Sequence, residues 1–293
     1  MKALNFGSLN LDYVYRVSHF VQPGETLSAI SQNVFPGGKG LNQSAALAKA
    51  GAETYHAGCR GQGGEMLEHV LEQSGVNVRH LVPVDEIQGN AVIQVNPDGQ
   101  NCILLFGGSN RCVTGRQIKD TFAEFEAGDY LILQNEINAL AEIIDAGYEK
   151  GMCIVLNPSP YNETIDALDL SKISWLLMNE IEAEQLSGSP DPEEAWRIIH
   201  GRYPNLSAVI TLGSEGSIAF TASETVRQEA FRVKAVDTTA AGDTFTGFFV
   251  AGLMEKRPLA ECLRRASFAA SISVTRAGAS SSIPTKEEVE AGL

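Results

Sequence analysis

The stretch Ala235-Val236-Asp237-Thr238-Thr239-Ala240-Ala241-Gly242-Asp243-Thr244-Phe245-Thr246-Gly247 decides how this 293-residue chain is read. Phe231 to Val236 alternates apolar and polar residues, the pattern of a short strand, while Phe245, Phe248, Phe249, Leu253 and Met254 recur at helical spacing. Between them the small residues Ala240-Ala241-Gly242 allow a tight turn and bring backbone N–H groups close to a ligand. A strand feeding such a turn and then a helix start forms an anion site, because unpaired N–H groups and the positive end of the helix dipole point at the bound group. Asp243 has two readings there: a plain helix cap, or a base beside an anion hole. Phosphoryl transfer to a hydroxyl needs the second arrangement, with a base for the alcohol proton and donors for the phosphoryl charge.

The same strand–turn–helix grammar runs outward from this stretch. Ala3 to Phe6 reads as a first strand ending in Gly7-Ser8-Leu9-Asn10-Leu11-Asp12, and Gly37 to Gly40 opens a helix that stops at Gly51. From Tyr130 the alternation is regular: strand Tyr130 to Leu133 before Asn135-Glu136, helix Ala139 to Lys150, strand Cys153 to Leu156 before Asn157, strand Trp175 to Met178 before Asn179, and strand Ala208 to Leu212 before Gly213. Leu259 to Thr275 reads as a second Ala-rich helix, followed by the small-residue loop Arg276 to Ser282. Polar clusters at the carboxyl ends of strands gather in one crevice of an open α/β sheet. The expectation is a single doubly wound α/β domain over residues 1–293.

Two segments break the alternation. Tyr13 to Val17 with Leu27 to Val34 around Pro23-Gly24, and Ala91 to Val95 with Asn101 to Phe106 around Asn96-Pro97-Asp98-Gly99, read as hairpins. Hairpins do not easily join a parallel sheet, so they are expected to form a small β lid from segments at about 12–34 and 90–106. Its apolar face and open edges would be covered by a second copy of the chain.

Composition narrows the function classes. Hydrophobic residues make up 44% of the chain, enough for a sizeable core. The net charge of −14 opposes nucleic acid and anionic membranes as partners. Five cysteines without a C-x-x-C pair suggest neither zinc nor a dithiol. The opening residues read as a strand and no run is long enough to span a bilayer, so a cytoplasmic protein is expected. A Walker A loop is excluded because Lys39 is followed by Gly40 and lacks the upstream glycine, and Gly58 to Gly64 fails as a dinucleotide fingerprint at Met66.

Asp237-Thr-Thr-Ala-Ala-Gly-Asp243 resembles the C-terminal signature of the PfkB (ribokinase-like) carbohydrate kinases, in the form with a second Ala that ribokinases carry. Gly37-Gly38-Lys39-Gly40-Leu41-Asn42-Gln43 resembles their N-terminal signature. Asn157-Pro-Ser-Pro160, Asn179-Glu-Ile-Glu182, Ile210 to Gly216 and Gly278-Ala279 with Ser282-Ile-Pro284 follow in the family's order. The resemblance implies a three-layer α/β/α fold with a β lid and transfer of the γ-phosphoryl group of ATP to a sugar hydroxyl, with O5 of ribose foremost. Kinases of 2-deoxyribose, a ketohexose or adenosine, and a sugar sensor without turnover, are the alternatives. By resemblance, Asn10, Asp12, Gly38, Lys39, Asn42 and Glu136 hold the sugar, and Asp243 is the base. The N–H groups of Ala240, Ala241 and Gly242 line the anion hole. Asn179, Thr211, Gly213, Ser214, Gly216, Gly242 and Ser267 contact ATP, Ser267 standing where ribokinases often place a histidine. Glu182 organises waters on Mg²⁺. Asp237, Thr239, Ser273, Arg276, Gly278 and Ser282 surround a monovalent cation, K⁺ by preference, mostly through carbonyls. Read without the resemblance, Asn10 and Asp12 are turn formers and Glu182 is an exposed acid favoured by a helix dipole.

Overall fold

The computed structural model describes residues 1–293. In chain order it contains β1 (Ala3–Phe6), β2 (Asn10–Arg16), β3 (Ser31–Gly37), α1 (Lys39–Lys49), β4 (Thr54–Gln62), α2 (Glu65–Gln73), β5 (Asn77–Ile87), β6 (Asn90–Val95) and β7 (Asn101–Phe106). Then follow α3 (Gly115–Phe122), β8 (Tyr130–Gln134), α4 (Leu140–Glu149), β9 (Cys153–Asn157), α5 (Glu163–Asp166), β10 (Trp175–Asn179), α6 (Glu180–Ser187) and α7 (Pro192–Arg202). The last elements are β11 (Ser207–Thr211), β12 (Ser217–Phe220), β13 (Thr225–Gln228), α8 (Ala241–Met254), α9 (Leu259–Ser273) and α10 (Lys286–Gly292).

Nine strands form one sheet in the order β13-β12-β11-β10-β9-β8-β1-β4-β5. It is parallel from β11 to β5, with β12 and β13 added antiparallel at one edge. Its central strands are covered on both faces, which is why they read as continuous apolar runs. Leu131 and Leu133 of β8 pack on one side with Ile143 of α4 and Ile199 of α7, whereas Ile132 between them packs on the other with Phe248 and Phe249 of α8 and Leu263 of α9. The result is the three-layer doubly wound α/β/α architecture that the alternation implies.

The second sheet has four strands in the order β3-β2-β6-β7. Two antiparallel pairs, β2·β3 and β6·β7, are joined by parallel pairing of β2 with β6. Leu11 and Tyr13 of β2 anchor it on Leu41, Leu67 and Leu71. The edge strand β7 stays open, with Ile103, Leu104, Leu105 and Phe106 each more than half exposed. No helix is long and apolar enough to cross a membrane.

Two expected elements are corrected. Phe231 to Val236 is not a strand; the sheet ends at β13, and the Val236 N–H donates to the Val274 carbonyl just past α9 at 2.7 Å. The segment is irregular: Ala230, Phe231, Arg232, Val233 and Ala235 border a cavity, while Arg232 to Val236 are largely exposed. Leu27 to Ile30 is likewise irregular, and pairing of the first hairpin begins at Ser31. The Gly58 to Gln62 run is the end of strand β4.

Candidate active site

The turn before α8 has the strained geometry that its small residues permit. Ala240 holds φ 60°, a left-handed conformation uncommon outside glycine, and directly precedes the helix. Asp243, in the first helical turn, is buried. The Gly242 and Asp243 N–H groups have no acceptor within the protein, whereas Ala241 N–H donates to the Thr238 carbonyl at 3.3 Å. Of the three expected donors, the Ala240 and Gly242 N–H groups are without an acceptor in the protein, whereas the Ala241 donor is taken by the turn itself.

Asp243 does not cap α8 through its side chain. Its carboxylate is gripped by consecutive residues of α1, with Asn42 Nδ2 donating to Oδ2 at 3.1 Å and Gln43 Nε2 donating to Oδ1 at 3.0 Å. Asn42 Oδ1 is buried without a partner in the protein, an acceptor whose missing donor a ligand hydroxyl could supply. Lys39, at the start of α1, feels burial, which opposes its charge, but Asp243, Glu136 and Glu182 outweigh this and hold its pKa above the usual lysine value.

Toward the second sheet, polar side chains converge from distant parts of the chain. Glu136 accepts from Ser8 Oγ and from Lys39 N–H, the latter at 3.1 Å. Burial raises its pKa despite these partners. Asp12 is pushed up to about 7 by burial and by the nearby charge of Glu136. Gly37 is required beside it, because a β-carbon there would lie 2.1 Å from Asp12 Oδ2. Gly38, at φ 94°, brings the chain into α1. Asn10 Oδ1 accepts from Asn110 Nδ2 at 2.8 Å, which leaves the Asn10 amide N–H groups to face a ligand. Asn110, fixed by Leu9 on both its donor and acceptor sides, lies in a turn after β7 that carries no motif by which sequence reading could have found it.

Beyond Lys39 and Asp243 opens a cavity of about 250 Å³ lined also by Asn157, Ser159, Asn179, Glu182, Thr211 and Gly242. Lys39, expected among sugar contacts, therefore also faces this compartment. Glu182 is not the exposed acid of the simpler reading: it is buried and closes a capping box with Asn179. Asn179 N–H donates to Glu182 Oε2 at 3.0 Å, and Glu182 N–H donates to Asn179 Oδ1 at 2.8 Å. One Glu182 oxygen and the Asn179 amide N–H groups remain available. Asn157 Oδ1 is buried and unpartnered here, a strand-end residue the expected site omitted. Thr211, Ala241, Gly242 and Phe245 also border a second cavity of about 640 Å³, lined by Gly213, Ser214, Gly216, Phe231, Val233 and Ser267. Its surface is mostly apolar, with Thr211, Ser214, Arg232, Thr238, Ser267 and Ser271 adding polar groups.

Of the remaining expected group, Asp237, Thr239 and Gly278 are in contact. Asp237 accepts from Thr239 N–H and Oγ1 and, across the chain, from Gly278 N–H at 3.0 Å. Burial opposes its charge, yet these donors hold its pKa below the usual carboxylate value. The hydroxyls of Ser273 and Ser282 turn back to the Ala270 and Ala279 carbonyls, and the Arg276 guanidinium pairs with Glu288. These three side chains are engaged locally, so only their carbonyls could serve an ion.

The sequence profile of the pfkB family carbohydrate kinases matches residues 2–286. A ribokinase from Haemophilus influenzae is 36% identical over 292 residues, covering 96% of this chain and 95% of that protein. Among solved structures, the Thermotoga maritima ribokinase superposes with a TM-score of 0.88 at 34% identity, over 99% of this chain and 98% of the other. The Arabidopsis thaliana ribokinase complexed with ribose and ATP has a TM-score of 0.87 at 30% identity, over 99% and 97%.

Proposed function

The chain belongs to the pfkB family of carbohydrate kinases, and on that premise we propose that it phosphorylates D-ribose at O5 with ATP, using Asp243 as the base. The observation that carries this reading is the Asp243 carboxylate, buried between free helix N–H groups on one side and an orphaned hydroxyl partner, Asn42 Oδ1, on the other. Ribose sits between the second sheet and the strand ends, held by Asn10, Asp12, Gly38, Asn42 and Glu136. Asp243 accepts the O5 proton as that oxygen attacks the γ-phosphorus and the bond to the β-phosphate oxygen breaks. The Gly242 and Asp243 N–H groups, with Ala240 at the turn, receive the charge on the transferred group. Lys39 follows the phosphoryl group between the two compartments.

No cluster of three or more His, Cys, Asp or Glu side chains is present to bind a bare ion. Glu182 and the unpartnered Asn157 Oδ1 fit a Mg²⁺ that arrives on the phosphates and keeps part of its water shell. Bound there, Mg²⁺ neutralises phosphate charge. The meeting of Asp237 with the 276–282 loop suits a monovalent cation, preferably K⁺, held by carbonyls. The base of ATP occupies the larger cavity near Ser267. The four-stranded sheet acts as a lid that excludes water, and its open apolar strand β7 pairs with a second copy. Micromolar sedimentation of the protein with ribose should give a dimer, and a monomer would count against that pairing. We assign the enzyme to the cytoplasm, where ATP is maintained. The test of the function is ADP release with Mg·ATP and a panel of pentoses, hexoses and nucleosides. Ribose should give the highest kcat/KM; a hexose or nucleoside surpassing it would overturn the substrate assignment.

A further inference from the structure

A row of buried amides behind the ligand contacts accounts for how the Asp243 carboxylate is aimed. Gln134 Nε2 donates to Gln43 Oε1 at 2.7 Å and to Asn5 Oδ1 at 3.0 Å. Asn5 Nδ2 donates to the Gly40 carbonyl at 2.8 Å and to Ser44 Oγ at 2.9 Å, and Ser44 Oγ lies 2.8 Å from His56 Nδ1. Asn5 on β1, Gln43 and Ser44 on α1, His56 on β4 and Gln134 on β8 are each at most 1% exposed. Apolar residues fill such positions at lower desolvation cost. What the amides add is direction, because each has a donor end and an acceptor end. The Gly40 carbonyl can only accept, so Asn5 turns its NH₂ toward it and its oxygen toward Gln134. Gln134 then presents its own NH₂, which draws the Gln43 oxygen and leaves the Gln43 NH₂ facing Asp243. A reversed Gln43 would set its carbonyl oxygen against a carboxylate oxygen.

We propose that Gln43 is a positioning residue for the base, and that Gln134, acting through Gln43 from its anchor on Asn5, selects the orientation that donates to Asp243. This rests on the reading of Asp243 as the base. Misplacement of a reacting group by an ångström can cost about 10²-fold in rate. Gln43→Met should therefore lower kcat about thirtyfold, with KM for ribose and ATP within about threefold of wild type. Gln134→Met should lower kcat about fivefold, and should add nothing in the Gln43→Met background because it acts through that side chain.

The discriminating variant is the isosteric Gln43→Glu. Protonated, the new carboxyl has the polarity of the amide, its O–H donating to Asp243 Oδ1 and its C=O accepting from Gln134; ionised, it repels Asp243. Its kcat relative to wild type should rise as pH falls from about 8.5 to about 5.5, while the same ratio for Gln43→Met stays flat. The charged group touching this position is Asp243, itself coupled to Lys39 and Glu136, and all three are the same in wild type and in the Gln43 variants. His56 is linked to it only through Ser44, Asn5 and Gln134 and is kept neutral, its pKa pushed down to about 3 by burial. The proposal is overturned by a Gln43→Met kcat within about threefold of wild type, by a Gln134 effect that multiplies the Gln43 effect, or by a pH-flat ratio for Gln43→Glu. Asp243→Asn is run in parallel. If it retains more than about a tenth of wild-type kcat, the base reading falls and takes the positioning claim with it. If it is inactive while the Gln43 variants turn over like wild type, only the positioning claim falls. Should Gln43→Met fail to fold, Gln43→Glu and Gln134→Met decide the matter.

Discussion

The two halves of the cleft are built from different materials. On the side of the second sheet, Asp12, Glu136, Asn10, Asn42 and Ser8 present directed side chains, several held in place by partners far away in sequence. On the far side, the 640 Å³ cavity is mostly apolar, bounded by Gly213, Gly216, Phe231, Val233, Phe245 and Val274, with Arg232 and Ser267 among its few polar groups. The difference follows from what each half must do. A sugar is told from its epimers and deoxy analogues only by hydroxyl positions, so the acceptor side needs fixed hydrogen-bonding groups whose loss of a partner is costly. A nucleotide is gripped mainly at its phosphates and needs shape elsewhere, which mostly apolar walls provide.

Changes on the acceptor side should therefore alter selectivity, and changes on the donor side only affinity. The largest such effect is expected at Asp12. A carboxylate there can accept from the 2- and 3-hydroxyls of ribose, and leaving one acceptor unpaired in a closed site costs about 1–3 kcal/mol, or about ten- to a hundredfold in kcat/KM. Wild type should prefer ribose to 2-deoxyribose by about that factor, and Asp12→Ala should lose both activity and most of the preference. Equal use of the two sugars by wild type, or an unchanged ratio in the variant, would leave Asp12 a strand residue with no part in sugar selection.

The next effect is a pH dependence confined to the same half. The Asp12 carboxyl, raised to about 7, is protonated in the sugar-free enzyme below that pH and ionised above it. If only the ionised form accepts both hydroxyls, kcat/KM for ribose rises with pH to a plateau above about 7, falling about tenfold per unit below it. The Asp12→Asn variant should lose this limb. The same shift fixes the sign of a stability effect: the folded state holds this proton more tightly than the unfolded chain, so stability declines as pH rises from the ordinary carboxylate range toward 7. Asp12→Asn should accordingly raise the melting temperature at pH 8 relative to wild type, by more than at pH 4.

The smallest effect is on the donor side. Phe231 borders the larger cavity and meets the Phe268 ring edge-on at 5.0 Å between centroids. Phe231→Ala should raise KM for ATP by about three- to tenfold and leave the ribose to 2-deoxyribose ratio unchanged. A shifted sugar ratio would mean that the two halves are coupled through more than the phosphoryl group.

The same division explains what the sequence disclosed. Strand β1 falls on Ala3–Phe6 as its apolar run indicates, and α8 follows the Phe245, Phe248, Phe249 spacing, because burial on a sheet face or helix stripe leaves a local period. Phe231 to Val236 shows the same local period without being a strand, because alternation in the sequence does not by itself supply a pairing partner, and residues 232–236 stay exposed. The capping box of Asn179 and Glu182 was written in the N-x-x-E spacing. The grip on Asp243 was not, since it joins residues 5, 43, 134 and 243 through contacts that only the folded sheet creates. The raised Asp12 carboxyl likewise depends on Glu136, brought beside it from another strand end.

The central claim is that Asp243, where the two halves meet, removes the proton from the sugar hydroxyl. Its most direct test compares wild type and Asp243→Asn for turnover with ribose and Mg·ATP and, by calorimetry, for binding of each ligand alone. The account predicts that kcat falls by about 10²–10⁴ while both affinities stay within about tenfold. A variant that binds both ligands and keeps more than about a tenth of wild-type kcat would contradict it.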